Sequence, residues 1–285
     1  MILTDSTAAR VQGSTVTGII TVSSTLLQFM QYLAIIVSTN ISGTIGIVKN
    51  GIGGLTFSGA CTYTGLTQIN GGQIVISGTV ASTLSGVISG TGYLTKTGSG
   101  TLTLGGNNTY SGGTVFAPSS AAATITFTSG NAFGTGLFTA QGSCQIISGG
   151  NVTLPNNFQI NTGTTLQYRT SGANTITVTG NIAGSGGINK TGNGILNLTA
   201  STLTYAGSTN RQAGSIVASK TNGASTATAT FSAGLSVSFN VPPTAGMTFR
   251  FFAGSTTNTY ASVTLVGAPG RTGTYNSANS TLTIA

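Results

Sequence analysis

Short segments in which polar and apolar residues alternate recur along this chain, and glycines bound most of them. Residues 101–104 read Thr-Leu-Thr-Leu, and residues 54–57 read Gly-Leu-Thr-Phe. Because successive side chains of a β-strand point to opposite faces, this alternation places Leu102 and Leu104 on one face and threonine on the other. The flanking glycines favour tight bends. The pattern therefore predicts short strands joined by corners.

One longer pattern, which includes these segments, occurs three times. Its second copy spans residues 88–114, the first copy lies 47 residues earlier and the third lies 94 residues later. The recurring positions are Ile41, Gly43, Lys49, Gly51, Leu55 and Tyr63; Ile88, Gly90, Lys96, Gly98, Leu102 and Tyr110; and Ile182, Gly184, Lys190, Gly192, Leu196 and, one residue further on, Tyr205. Internal periods of about 20–50 residues are typical of solenoids, in which each unit buries its apolar face against the next. We therefore predict an all-β solenoid with coils of about 20–25 residues.

The residues of the second copy also carry a family resemblance. The run from Leu94 through Lys96, Gly98, Leu102 and Leu104 to Thr114 resembles the autotransporter passenger-associated strand repeat. The linking segments 131–137, 152–157 and 180–186 are similar to the sequences that lie between such repeats. The resemblance implies a single-stranded, right-handed parallel β-helix that is displayed outside a cell.

Changes in the residue pattern along the chain suggest three parts. Residues 1–37 form an N-terminal strand or cap segment, residues 38–217 form the solenoid, and residues 218–285 form further β coils, a cap or an assembly module. The first ten residues do not resemble a secretion signal. The apolar run at 26–37 has twelve residues, too few to span a membrane. We predict a strand for 32–37, and leave 25–31 open between a short capped helix and a strand.

The composition argues against catalysis. The chain has no histidine and no glutamate, and Asp5 is its only acidic residue. Paired carboxylates for glycoside hydrolysis and triads that need histidine therefore cannot be assembled. With Asp5 and two cysteines as the only strong ligands, we expect no metal site and no cofactor. The sequence predicts that the protein is not an enzyme.

The net charge of +8 comes from nine basic residues that are scattered along the chain. Phosphate affinity needs several basic side chains within one footprint. We therefore expect no nucleic-acid binding.

Two sets of equivalent residues are the candidates for a site. Lys49, Lys96 and Lys190 are interpreted either as solvent-facing turn residues or as an aligned basic column that meets a partner chain or an anionic surface. Tyr63, Tyr110 and Tyr205 form a second set, for which we expect aromatic stacking inside or along the solenoid, with glycan contact as the alternative. Cys61 and Cys144 are expected to be small buried side chains rather than a disulfide.

The low charge of the chain leads to a prediction about assembly. Natural proteins ordinarily protect exposed strand edges with charge, proline or a covering element, and only 4% of these residues are charged. We predict that the N-terminal region, including Ile35, and the C-terminal region, including Phe249, Phe251 and Phe252, contact neighbouring subunits head to tail. The alternative is a monomer in which both regions are internal caps.

These expectations favour a structural subunit of a filament, fibre or coat, located outside the cell, on its surface or on a virion or other particle. An adhesin or glycan-binding rod is the alternative.

Overall fold

The computed structural model describes most of the solenoid and short stretches on either side of it. The described residues are 2–3, 9–11, 15–16, 21–22, 26–30, 33–120, 123–199, 203–207, 209–222, 225–231, 236–239, 248–250, 264–266, 273–276 and 281–284. These residues form strands, turns and bends, and none of them lies in a helix. The described part of the chain accordingly contains no helix with the length and hydropathy needed to cross a membrane.

The chain divides into two compact units. The first comprises Met1–Ile146 and Pro155–Asn157, and the second comprises Ile147–Leu154 and Phe158–Ala285. The boundaries at 37 and 217 that the sequence suggests stay a prediction.

The strands of the first unit are β1 (Ile2–Leu3), β2 (Ala9–Val11), β3 (Thr15–Val16), β4 (Thr21–Val22), β5 (Leu26–Met30), β6 (Ile35–Val37), β7 (Ile41–Gly43), β8 (Gly46–Asn50), β9 (Gly54–Phe57), β10 (Cys61–Tyr63), β11 (Thr67–Ile69), β12 (Gln73–Ile76), β13 (Ser82–Leu84), β14 (Ile88–Gly90), β15 (Tyr93–Lys96), β16 (Leu102–Leu104), β17 (Thr114–Phe116), β18 (Thr124–Phe127) and β19 (Phe138–Ala140). Strand β20 (Cys144–Ser148) spans the division. The second unit contains β21 (Val152–Leu154), β22 (Phe158–Ile160), β23 (Thr165–Thr170), β24 (Thr175–Val178), β25 (Ile182–Gly184), β26 (Gly187–Thr191), β27 (Ile195–Leu198), β28 (Thr209–Arg211), β29 (Ser215–Asn222), β30 (Ser225–Phe231), β31 (Ser236–Phe239), β32 (Thr248–Arg250), β33 (Thr264–Val266), β34 (Gly273–Asn276) and β35 (Thr281–Ile284).

Parallel pairing between successive coils builds the first unit. Ile35 pairs with Leu55, and the same position then continues through Ile74, Leu94, Thr114 and Phe138, at intervals of 19 to 24 residues. Between residues 26 and 104 each coil contributes three strands, for example β8, β9 and β10. The predicted β-solenoid, with coils close to the expected length, is confirmed.

Inward and outward positions alternate as the sequence pattern predicts. Leu102 and Leu104 are fully buried, whereas Thr103 between them is half-buried and contacts Thr126 of the next coil through a 2.8 Å hydroxyl pair. Aromatic side chains fill the wider coils, where Phe133 lies 5.0 Å from Phe127 and 4.8 Å from Phe138 between ring centroids. The core of the first unit is therefore a continuous apolar column inside the coils.

The N-terminal apolar run forms two strands. Strand β5 covers residues 26–30, so the helix alternative for that segment is wrong over the described residues. Strand β6 confirms the predicted strand over 35–37. Both strands pair with strands of the next coil, β5 with β8 and β6 with β9, because their alternate apolar side chains can enter the same core.

The second unit begins with the same parallel coils and ends differently. Val152, Ile176, Leu196 and Ile216 occupy equivalent positions on successive parallel strands. Strand β29 then pairs with β30 in antiparallel fashion, and β30 pairs with β31 in the same way. Strands β32, β34 and β35 form a separate antiparallel sheet. An antiparallel hairpin thus pairs the edge of β29, which would otherwise be exposed, and β31 then pairs with β33 in parallel fashion.

Candidate functional site

The three recurring lysines lie inside the coils. Lys49, Lys96 and Lys190 are 0%, 1% and 0% exposed. Each occupies the last inward position of its strand, two residues after a buried apolar residue, and each precedes a corner. The prediction that these lysines are surface or assembly contacts is therefore wrong, because the two-residue period of the strand carries them to the core face.

Carbonyl oxygens of the corner accept the hydrogen bonds of the buried ammonium groups. The Nζ of Lys49 donates to the carbonyls of Asn50 at 2.9 Å, Gly51 at 2.7 Å and Gly71 at 3.1 Å. The Nζ of Lys190 donates to the carbonyls of Thr191 at 2.6 Å and Gly192 at 2.7 Å. These bonds tie the corner backbone to the end of the preceding strand.

The third lysine and the remaining contact of Lys190 follow the same plan. Lys96 donates to the carbonyl of Gly98. Lys190 also donates to the hydroxyl of Thr170 at 3.3 Å. The shared arrangement is a lysine that caps the carbonyl of the glycine two residues further on, in the pattern Lys-x-Gly.

Burial disfavours the protonated, charged form of these lysines. It lowers the pKa of Lys49, and lowers the pKa of Lys96 to about 8 because the ammonium group is removed from water. Burial likewise lowers the pKa of Lys190 to about 8, and the positive charge of Arg211 contributes in the same direction. No acidic side chain is among the causes of these pKa changes.

The lysines of the first unit do not form a column. Lys49 is in register with Ile69 of β11, whereas Lys96 is in register with Ile76 of β12 and Phe116 of β17. Two coils beyond Lys49 lies Gly90, so 47 residues correspond to two coils plus one further side of the coil. Equivalent residues of the first two copies therefore lie on different sheets, and the predicted basic column is wrong.

The recurring tyrosines each pair with a threonine four residues further on. The hydroxyl of Tyr63 lies 2.8 Å from Oγ1 of Thr67, and that of Tyr110 lies 2.5 Å from Oγ1 of Thr114. Tyr205 and Thr209 form the same pair. All of these side chains are buried. Each pair spans a corner and closes it from inside.

A glycine of the preceding coil lies beside each tyrosine. Tyr63 is in register with Gly43. Ladder hydrogen bonds on both sides put Tyr110 beside Gly90 and Tyr205 beside Gly184. These glycines have φ angles of 100°, 102° and 108°, in the region that other residues rarely adopt. The combination of a left-handed glycine, a tyrosine one coil later and a threonine four residues beyond it recurs in all three copies.

The predicted tyrosine set is therefore buried, and the contact its members share is with threonine. Burial raises the pKa of Tyr63 and of Tyr110, although the hydroxyl bonds to threonine act in the opposite direction. Buried hydroxyls offer no surface to a glycan. Glycan contact through these three tyrosines is wrong for that reason.

The other predicted contact residues have different positions. Ile35 is fully buried on β6, so its prediction as a surface contact is wrong. Phe251 and Phe252 lie outside the described residues, as does the side chain of Phe249 on β32. Their role in assembly stays a prediction.

Cys61 and Cys144 are free and buried, which confirms their expected role as small buried side chains, and burial raises the pKa of each thiol to about 12. Within the described ranges no three histidine, cysteine, aspartate or glutamate residues are grouped to hold a metal ion. The recurring polar residues of the coils are bonded to the backbone or to one another, and their effect is to fix corners.

Sequence reasoning missed two features of this arrangement. Thr67, Thr114 and Thr209 recur with the tyrosines at the spacing Tyr-x-x-x-Thr, but this spacing was not connected with a contact between the two side chains. Buried Asn108 also links coils, since its Oδ1 accepts from the backbone N–H of Ile88 at 2.8 Å and its Nδ2 donates to the carbonyl of Ala132 at 2.6 Å. Its apolar counterpart in the first copy, Cys61, hid that role.

Comparison with known proteins identifies the repeating unit. The model of the passenger-associated-transport-repeat matches residues 47–76, 94–117 and 188–217. A search of the curated proteins and of the solved structures found no match. Each matched segment contains a Lys-x-Gly corner and extends past its tyrosine–threonine pair. Three segments of the chain are thus similar to the passenger-associated-transport-repeat, and they fold as coils of a β-solenoid.

Proposed function

We propose that this protein is a non-catalytic structural subunit of an assembly outside the cell, a filament, fibre or coat in which solenoid units stack head to tail. The repeats and the solenoid fit an autotransporter passenger-type rod, and the repeat indicates a secreted or surface-exposed protein. Location on a virion or other particle is part of the same proposal.

The contacts of the recurring lysine and tyrosine side chains support the structural role. In each of the three repeats the lysine bonds to corner carbonyls and the tyrosine bonds to threonine, all inside the coil. A catalyst keeps such groups accessible to a substrate. Here the same groups stabilise the backbone, as expected of a protein whose shape is its function.

Head-to-tail stacking is supported by the way that parallel ladders end. A terminal coil leaves N–H and C=O groups that can pair with another chain wherever no further strand covers them, and among the described residues the β29–β30 hairpin extends only one of the sheets. A contact between unlike ends repeats without closing and produces a filament. The N-terminal strands and the region after residue 218 are the segments proposed for this contact.

Electron microscopy and sedimentation of the purified chain test this proposal. Ordered fibres whose length grows with protein concentration are expected. Asp substitution at Phe251 should shorten the fibres while the β-type circular dichroism spectrum is retained. A folded wild type that stays monomeric at high concentration would contradict the proposal.

The alternative is an adhesin or glycan-binding rod. One exposed aromatic side chain favours it, since Tyr93 is half-exposed at the start of β15. Binding of a defined glycan on an array, with loss of that binding in Tyr93→Ala, would favour the alternative over the structural role.

A further inference from the structure

The Lys-x-Gly corner of the first copy differs from the other two in its middle residue. Asn50 stands between Lys49 and Gly51, whereas the second and third copies have Thr97 and Thr191 at this position. When glycine follows asparagine, the backbone nitrogen of the glycine can attack the side-chain amide, because glycine has no Cβ to obstruct the approach. The first corner therefore combines a buried lysine with an asparagine that can react with its own backbone.

Lys49 is bonded to the peptide group that would supply the attacking nitrogen. Its Nζ donates to the carbonyl oxygen of Asn50 at 2.9 Å, and this carbonyl shares a peptide bond with the N–H of Gly51. The Nζ also donates to two other carbonyls, so its bonds match the three N–H groups of the protonated amine. A charged donor draws electron density from the peptide group and makes its N–H more acidic. Lys49 thus favours loss of the proton that the nitrogen of Gly51 must give up before it attacks.

The side-chain amide of Asn50 has an activating partner of its own. The Nδ2 of Asn70, an exposed residue of the next coil, donates to the Oδ1 of half-buried Asn50 at 2.8 Å. A donor at this oxygen stabilises the negative charge that develops there when Cγ is attacked. The nitrogen of Gly51 and the Cγ of Asn50 are therefore each assisted by a neighbouring side chain.

The next Asn-Gly dipeptide of the chain has a different environment. The carbonyl of Asn70, which precedes Gly71, accepts from the neutral hydroxyl of Thr91 at 3.0 Å. A neutral donor polarises a peptide group less than an ammonium group does. The nitrogen of Gly71 should therefore be less acidic than that of Gly51.

A third Asn-Gly dipeptide has its nitrogen occupied. The N–H of Gly194, which follows Asn193, donates to the Oγ1 of Thr170 at 2.9 Å. The N–H of Gly51, by contrast, donates to no group within the described residues. One dipeptide sequence thus occurs in three environments, and a lysine activates it in the first.

We propose that Asn50 is a self-modification site, at which the folded chain converts this asparagine to aspartate or isoaspartate through a cyclic imide. The deprotonated nitrogen of Gly51 forms a bond to Cγ of Asn50, the bond from Cγ to Nδ2 breaks, and the departing group takes up a proton and leaves as ammonia. Water then opens the imide at either of its carbonyls. One ammonia is released for each water consumed, and nothing is oxidised or reduced. The reaction does not depend on how copies of the chain assemble.

The product places a carboxylate beside a buried ammonium group. Asp5 is the only acidic residue of the chain, so the reaction supplies a second acidic side chain. It lies one residue from Lys49, whose Nζ is bonded to carbonyl oxygens. An opposite charge offsets part of the cost of burying a cation. The first corner would thus gain an ion pair that threonine cannot supply in the other two copies.

Peptide mapping by mass spectrometry tests the proposal on the full chain, incubated near neutral pH. Conversion adds about 1 Da at a site, and electron-transfer fragmentation distinguishes aspartate from isoaspartate. In the chain unfolded with urea, Asn50, Asn70 and Asn193 should react at similar rates, because glycine follows each of them. In the folded chain Asn50 should react fastest, and at least about fivefold faster than Asn193.

Three variants test the activating contacts. Lys49→Met removes the charged donor and should slow the conversion of Asn50 about fivefold. Lys96→Met removes the matched lysine of the second copy and should leave that rate unchanged. Asn70→Ala removes the donor to Oδ1 at an exposed position and should also slow the conversion of Asn50. Circular dichroism establishes that each variant is folded, and Asn70→Ala decides the outcome if Lys49→Met does not fold.

Two results would overturn the proposal. The first is a folded wild type in which Asn50 stays intact while Asn70 or Asn193 is converted. The second is an unchanged or faster conversion of Asn50 in both Asn70→Ala and a folded Lys49→Met. A wild type that stays monomeric but still converts Asn50 would contradict the proposed head-to-tail assembly and support the self-modification.

Discussion

Lys190 and Arg211 are in register on adjacent parallel strands, so two cationic side chains lie next to each other in the second unit. Arg211 donates to the carbonyl of Gly214 at 3.1 Å, while Lys190 is bonded to Thr170, Thr191 and Gly192. Backbone and hydroxyl oxygens therefore take the place that a carboxylate would have in an ordinary ion pair. The cost of burying the Lys190 ammonium group is offset by the corner bonds that it makes, and this balance can be measured.

Replacement of the buried lysines by methionine should separate the two effects. Methionine removes a buried charge, which is favourable, but leaves corner carbonyls without a donor, which costs about 1–3 kcal/mol for a buried group. Because Lys190 makes three hydrogen bonds, Lys190→Met should lower the unfolding free energy of the protein by about 1–2 kcal/mol. Lys96 makes one such bond, so Lys96→Met should leave the unfolding free energy of the protein unchanged or raise it at pH 7. Chemical denaturation measures both, and a larger loss in Lys96→Met than in Lys190→Met would contradict this account.

The unfolding free energy should pass through a maximum on the alkaline side of neutrality. Lys96 and Lys190 have pKa values of about 8 in the folded protein, against 10.5 for an unperturbed lysine. From pH 8 upward the folded protein therefore holds fewer protons than the unfolded chain, and stability rises with pH. The stabilising change is absent below pH 8 and complete above 10.5.

Cysteine and tyrosine reverse this trend at higher pH. Burial raises the pKa of Cys61 and Cys144 from 9.0 to about 12, and it raises the pKa of Tyr63 and Tyr110 above 10.0. The unfolded chain thus loses these protons first, so stability falls above about pH 9–10. Denaturation at stepped pH should show the maximum, and Lys96→Met/Lys190→Met should flatten its acid side. A stability that falls steadily from pH 7 to 9 would be inconsistent with neutral buried lysines.

A double-mutant cycle on Tyr110 and Thr114 should measure the tyrosine–threonine pair. Tyr110→Phe is expected to cost about 1–2 kcal/mol, because it leaves a buried threonine hydroxyl with one partner fewer. The coupling energy between Tyr110→Phe and Thr114→Val should be about 0.5–1.5 kcal/mol. Tyr93→Phe is the matched control, since that hydroxyl is on a half-exposed side chain, and it should leave the unfolding free energy unchanged. Additive effects of the two substitutions would mean that the short hydroxyl contact contributes nothing.

Gly90→Ala should be strongly destabilising. Gly90 has a φ of 102°, and a Cβ there would lie 2.2 Å from the carbonyl oxygen of Ile69 in the preceding coil. We expect a loss of at least about 2 kcal/mol, or failure to fold. Gly150→Ala is the control, because its Cβ would meet nothing within 4 Å and its φ lies outside the left-handed region. Thermal unfolding followed by circular dichroism compares the two, and equal melting temperatures would refute the steric account.

The alternation of residues predicted the solenoid, and it also contained the answer for the lysines. Lys49 lies two residues after Ile47, and Lys96 lies two residues after Leu94, so period two assigns each lysine to the core face. The expectation that charge faces water prevailed over the periodicity, because buried lysines are rare. The acceptors that make burial tolerable are backbone carbonyls, which no sequence pattern displays.

The repeat interval alone does not show how the copies are placed around the coil. The 47-residue interval is conspicuous because Lys, Gly and Tyr recur, but the coil between two copies carries Ile69, Ile74 and Ile76 in ordinary apolar positions. Only the strand register shows that Tyr63 follows Gly43 by one coil of 20 residues. The prediction for Ile35 was also wrong. Ile35 and its neighbour Ile36 lie on opposite faces of β6, and the sequence alone does not show that Ile35 is on the buried face and Ile36 on the exposed one.

The offset between coil and repeat has a consequence for how such a chain can grow by duplication. Lys49 and Lys96 are equivalent in sequence but lie on different sheets of the first unit, because their interval exceeds two coils by one side. Insertion of one more 47-residue copy at that point would shift each side of the coils that follow it to the position of the neighbouring side. Insertion of two coils alone would keep every later surface facing its original direction, at the expense of breaking the internal motif. Orientation and motif cannot both be inherited unchanged in that event.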